Sequence, residues 1–295
     1  MISAIEVMLC IRGGRFAEAE TLAAACAQRG VTAGDIDAHG WYRAQLGTIR
    51  WYQGRLPTLS DLVNSPTLST IDNATFAGLA VAAGDRELAA IMLARVRGRD
   101  LARLPRSSSW LISMYGVVEA AHLLADTETS AQAYTLLAPF AHRPVLVSLG
   151  VACVGSVHHC LGVATLTTGD VDQAIGHLRA AVRGNLALGH RPAVVLSRAR
   201  LGQALALRDG PRAEEARRQL AYAAQDAAAL GMTMPSVHGG DGRRARKLGT
   251  ARPRGLVRAS SRCDEEGPAP GRGRPRHSVR QSPQGPRLRH PHRHP

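Results

Sequence analysis

Through the first 232 residues, apolar positions recur at steps of three and four, the period of helices packed on one face. The clearest unit is residues 161–182. Leu161-Gly162-Val163-Ala164 ends one helix, Gly169-Asp170 makes a turn, and Val171, Ala174, Ile175, Leu178, Ala181 and Val182 share one face of the next. Gly169 suits a left-handed helix end and Asp170 suits the following N-cap. Small residues such as Ala164 and Ala174 fit where two helices cross closely. The same order recurs along the chain. Gly14 leads Ala19, Ala23 and Cys26 at the offsets by which Gly169 leads Ala174, Leu178 and Ala181, and Gly84 leads Ala89, Leu93 and Val96 likewise. Asp126 leads Ala131 and Ala138, with the glycine lost. Leu46-Gly47 precedes Gly54, and Leu201-Gly202 precedes Gly210 with one extra residue.

Turn markers therefore stand at 14, 54, 84, 126, 169 and 210. Pro105 with Ser107-Ser108-Ser109 is expected to start the helix carrying Trp110, and Pro192 fits the first turn of another. Gly231 should stop the last helix, whose stripe is Ala216, Leu220, Ala223, Ala227 and Leu230. Gly184 is a mild misfit inside its helix, and Pro66 and Pro144 mark breaks between hairpins.

This arrangement resembles the tetratricopeptide repeat, with Thr165, Val171 and Leu178 where that repeat carries aromatic residues. Five to six hairpins of this kind predict an all-α, right-handed α-solenoid over residues 1–232, since a single hairpin cannot bury its stripe alone.

Composition changes the picture at the C-terminus. Residues 233–295 hold 15 of the 37 Lys+Arg against 4 of the 23 Asp+Glu, so +11 of the net +14 lies there. That segment has no aromatic residue, 9 of the 16 prolines and 9 of the 30 glycines, and is expected to be disordered. Lys247 is the only lysine beside 36 arginines, a bias that GC-rich coding produces. The tail's composition is also that of such DNA translated in another frame, and a frameshift near codon 232 is the expectation. Five cysteines without C-x-x-C spacing, and no leader-like or membrane-length apolar run, predict a cytoplasmic protein with reduced thiols.

Beyond the repeat, residues 10–232 resemble the helical-repeat region of large bacterial ATP-binding transcriptional regulators of the LuxR-like or activator-domain type, and of related adenylate-cyclase signalling ATPases. The resemblance runs through Gly14 to Glu20, Gln53 to Leu56, Leu104 to Leu111, Leu136 to Ala141, Gly150 to Val157, Asn185 to Pro192 and Ala229 to Met232. It implies a non-catalytic region that docks a protein partner or a small-molecule inducer. That family's ATP site is not carried over, because no G-x-x-x-x-G-K-[ST] occurs. The chain thus reads as a piece of a larger regulator.

Candidate chemistry is sparse. Cys153, His158, His159 and Cys160 are the compact set of metal-type ligands; on one helix Cys153 and Cys160 would face the same side while His159 points elsewhere, so no metal or other cofactor is assigned. Trp41, Tyr42, Trp51 and Tyr52 either line a concave groove or fill gaps between hairpins, and the second is preferred. Glu214-Glu215 and Glu265-Glu266 read as solvated charge. No catalytic constellation can be argued from spacing, so an enzyme is not expected. Arg272-Gly273-Arg274-Pro275 matches the core of a minor-groove hook, and Arg272 and Arg274 are the candidate nucleic-acid contacts. Nucleic-acid binding by the tail is therefore the alternative function, with a non-functional fragment as the third.

Overall fold

A computed structural model of the chain describes residues 2–56, 70–97 and 101–234. Pro66, Arg272, Arg274 and Glu265-Glu266 lie outside the described residues, as does the tail from residue 235 onward. The described part is mostly helical. In order it comprises α1 (Ile2–Gly13), α2 (Phe16–Thr32), α3 (Ala38–Gln53), α4 (Thr70–Ala83), α5 (Arg86–Arg97) and α6 (Trp110–Leu124). These are followed by α7 (Thr127–Leu137), β1 (Pro144–Val147), β2 (Ala152–Ser156), α8 (Val157–Thr168), α9 (Val171–Ala187), α10 (Arg191–Asp209) and α11 (Glu214–Leu230). Among the described residues no helix is long and apolar enough to cross a membrane.

The turns repeat because their local chemistry repeats. At Gly14, Gly54, Gly84, Ala125 and Gly169 the backbone is left-handed, and the next residue's N–H reaches back to close the preceding helix. Those bonds are Arg15 N to Cys10 O, Arg55 N to Arg50 O, Asp85 N to Ala80 O, Asp126 N to Ala121 O and Asp170 N to Thr165 O. Asp126 and Asp170 then cap α7 and α9 through Thr129 N and Gln173 N. The register expected around Asp126 is one residue late. Ala125 takes the glycine's place, and Ser130 and Leu137 are buried while Ala131 is exposed. Ser109 does precede α6, although its side chain makes no cap bond. Pro192 sits in the first turn of α10, and Gly231 ends α11 in a left-handed conformation.

Helix crossings repeat as well. A Cβ on Gly162 would lie 2.6 Å from Leu178 Cγ and 3.3 Å from Ala174 O; on Gly202 it would lie 2.6 Å from Leu220 Cγ and 3.1 Å from Ala216 O. The same contact is thus built twice, in α8–α9 and in α10–α11.

Two features depart from a simple run of helices. Residues 144–156 form a bulged antiparallel hairpin, with Val145 opposite Gly155 and Leu146 opposite Cys153. A helical placement of Cys153 is therefore corrected: it lies in β2, seven residues before Cys160 of α8. A short, largely apolar run reads equally as buried strand or buried helix, and here Pro144, the valines and the turn at Gly150 favour strand. Second, the first and last hairpins meet. Val7, Ile11, Phe16 and Tyr52 share one buried cluster with Val195, Ala223, Ala227 and Leu230. Thr233 donates from its N–H to Tyr52 O at 3.0 Å and from its hydroxyl to Gln53 O at 2.9 Å.

Candidate functional site

All five residues of β2 are buried, and the strand touches α1, α3, α8, α9 and α10. Three buried side chains hold the hairpin by its main chain. Gln45 Nε2 donates to Val151 O at 3.0 Å and to Ala4 O at 3.0 Å. His190 Nε2 donates to Cys153 O at 2.9 Å, and Asn185 Oδ1 accepts from Ser156 N at 2.8 Å. Gly155 is required where it stands: its φ is +111°, and a Cβ would meet Ala193 Cβ at 2.6 Å and Asn185 Oδ1 at 2.9 Å. The strand β2 is therefore part of the core shared by these helices, while Leu149 in the turn before it is exposed.

From Asn185 a line of hydrogen bonds runs through the core. Asn185 Nδ2 donates to Ala193 O and, at 3.1 Å, to Ser197 Oγ. Ser197 Oγ lies 3.1 Å from His159 Nδ1, His159 Nε2 lies 3.2 Å from Glu119 Oε1, and Arg200 Nη2 donates to Glu119 Oε2 at 2.9 Å. One assignment satisfies every atom: Ser197 accepts from Asn185 and gives its proton to Nδ1, which leaves the ring proton on Nε2 for Glu119. Burial alone would raise the Glu119 carboxyl, but Arg200 and His159 outweigh it and hold the group well below the usual carboxylate range. Tyr115 stacks on the His159 ring at 5.7 Å.

Serine, imidazole and carboxylate in this order have the connectivity of a nucleophile, base and orienting acid. Ser197 is fully buried, however, and its oxygen already accepts from Asn185, so a substrate has no approach to it. The line works instead as a brace between α6, α8, α9 and α10. No sequence signal could have found it, because its hydrogen-bonded partners are 12 to 81 residues apart.

His190 closes the same region. Its Nδ1 accepts from Ala193 N at 3.3 Å while Nε2 donates, so the neutral ring is the fitting form. Burial lowers its pKa from 6.5 to about 4. His122, bonded to Thr167 Oγ1 at 2.8 Å, is likewise lowered to about 4 by burial and by Arg200.

The metal-type residues do not converge. Cys153 is in β2, His159 belongs to the brace, and His158 faces His177 on α9; burial raises both the Cys153 and Cys160 thiols. Among the described residues no three ligand side chains are placed to hold a metal ion. Tyr52 stacks with Phe16 at 5.8 Å and Trp51 at 4.7 Å, and turns an edge to His190, while Tyr42 packs on the same cluster. Tyr42, Trp51 and Tyr52 pack within the cluster shared by the first and last hairpins, while Phe16 both packs there and lines the hollow beside it. Glu215 is not simply solvated charge, since it takes two bonds from Arg179 at 3.0 and 2.9 Å.

One open hollow of about 440 Å³ lies at that junction, lined by Gly14, Arg15, Phe16, Glu18, Gln53 and Leu230. It draws on the first turn, the end of α3 and the end of α11, and only the closing of the chain on itself creates it. No protein-family model, curated protein or solved structure matches the chain.

Proposed function

We propose that the chain is a tetratricopeptide-like interaction and sensing module that acts by docking a protein partner or an inducer, without chemistry of its own. The observation that supports this reading is the duplicated crossing, Gly162 beneath Leu178 and Gly202 beneath Leu220, which is what repeated hairpin units of one stack would share. The resemblance to the repeat regions of bacterial transcriptional regulators points the same way. In this reading the first and last hairpins of the stack are joined, and β2 packs against five of its helices. The docking position is then the hollow at the junction, where an occupant would bear on how the two ends pack and shift the balance between joined and parted states.

The test uses a peptide library selected against the full chain. Binders are expected to lose at least about ten-fold in affinity, roughly 1.4 kcal/mol, when Gln53→Trp fills the hollow. Binders indifferent to Gln53→Trp would remove the docking position. A second reading follows from the tail's charge: residues 233–295 bind nucleic acid, with Arg272 and Arg274 in the minor groove. It requires the full chain to prefer A·T-rich duplex at physiological salt and to lose that preference in the Arg272→Ala/Arg274→Ala variant.

A further inference from the structure

On the outer side of α8, away from the brace, three polar side chains from three helices form a second line. Tyr134 Oη of α7 lies 3.3 Å from His177 Nε2 of α9, and His177 Nδ1 lies 3.0 Å from His158 Nδ1 of α8. The two imidazole centroids are 5.3 Å apart, close to the widest separation such a contact permits, so the Nδ1 atoms meet head-on. Lone pairs that point at each other do not converge on a shared metal ion. They fit a single proton held between two nitrogens.

The proton count follows from the geometry. With both rings neutral, Tyr134 donates to His177 Nε2, and His177 donates through Nδ1 to His158 Nδ1. One added proton is accommodated: a His177 imidazolium donates to the Tyr134 oxygen on one side and to His158 on the other. A second has only His158 Nδ1 to bind, and two N–H groups would then face each other at the present distance. We propose that Tyr134, His177 and His158 form an acid-sensitive clamp across α7, α8 and α9, closed with zero or one added proton and opened by the second.

The surroundings act in the same sense. Burial and the Arg183 charge push the His158 pKa down. Burial and the neighbouring His158 push His177 down, opposed by Asp170 at the α9 N-cap. The charges that bear on the pair are thus Arg183 and Asp170 of the α9 segment, with Tyr134 facing it from α7. Both rings are partly open to solvent, so protons reach them without unfolding.

The test is a titration of the full-length chain from pH 8 to 4.5, following imidazole nitrogens by NMR. The wild type should show His158 and His177 titrating in two coupled steps, with Nδ1 of His158 unprotonated in the first. His177→Asn should convert His158 to one step shifted upward, and Tyr134→Phe should move His177 more than His158. Amide exchange in α7 and α9, corrected for intrinsic rates, should quicken about ten-fold as the second proton binds, about one pK unit of coupling. That quickening should vanish in His158→Gln, and the two histidine variants guard against either one misfolding. Independent titration of the two rings in the wild type, unchanged by His177→Asn, would overturn the clamp. So would exchange in α7 and α9 that ignores the second proton.

Discussion

The helix pairs α8–α9 and α10–α11 and the buried polar residues around β2 are held together by opposite means. In α8–α9 and α10–α11 the crossing is apolar, made of glycine under leucine, and appears twice in nearly the same dimensions. Around β2 a set of polar contacts occurs once each: Gln45, Asn185 and His190 on the hairpin's main chain, then Ser197, His159, Glu119 and Arg200 in line. Packing between interchangeable apolar units degrades gradually, because neighbouring side chains can shift. A buried polar line does not, because removing one member strands its partner's charge or hydrogen bond away from water. The brace therefore concentrates in a few residues what the hairpins spread over many.

The largest test of that contrast is Arg200→Met, which leaves Glu119 buried without its cation. A loss of about 3–5 kcal/mol is expected in urea unfolding. Arg179→Met, which breaks the more exposed pair with Glu215 in the stack, should lose under about 1 kcal/mol. Equal losses would erase the distinction between the two regions.

Acid tests the centre next. His122 and His190 have folded pKa values of about 4 against 6.5 for the free side chain. The unfolded chain thus binds more protons between those values. Their contribution is whole above pH 6.5 and is lost as pH falls towards 4, about 3 kcal/mol for each ring. A Tm that drops between pH 7 and 4.5 checks the sign, and His122→Gln should flatten its share. A Tm that is level across this window would mean that neither ring is held neutral.

At the two helix crossings, Gly162→Ala and Gly202→Ala should each destabilise by about 1–3 kcal/mol as Leu178 or Leu220 is pushed aside. The sharper expectation is equality: the two losses should agree within about 0.5 kcal/mol, since the contact is duplicated. Unequal losses would show that the hairpins are not interchangeable. The smallest effect is a gain. Ala125 has φ +57° where the other turns place glycine, so Ala125→Gly should stabilise by about 0.5–1 kcal/mol, read as a raised urea midpoint.

Turns and helices were legible because their causes are local. Markers at 14, 54, 84 and 169 coincide with left-handed helix ends, and Asp170 caps α9 as its place after Gly169 implies. Ala125 was missed for a related reason: alanine adopts that conformation only under tertiary constraint, so the register was drawn from Asp126. The hairpin at 144–156 was not legible, since a buried apolar run loses the alternation that distinguishes strand from helix. The helical placement of Cys153 misled, because the group Cys153, His158, His159 and Cys160 spans a strand-to-helix junction, which sends the four side chains to different neighbours.

Alone, then, the amino-acid order determined where helices begin and end, which faces they bury and where small residues let them cross. Those choices depend on backbone conformation and on spacing within a few turns of chain. Tertiary structure decided that the last hairpin rests on the first, that β2 packs against helices of both, and that Glu119, His159, Ser197 and Asn185 align. Each of these brings together groups far apart in sequence. Only the packed chain, with water excluded around those groups, makes their pairing obligatory.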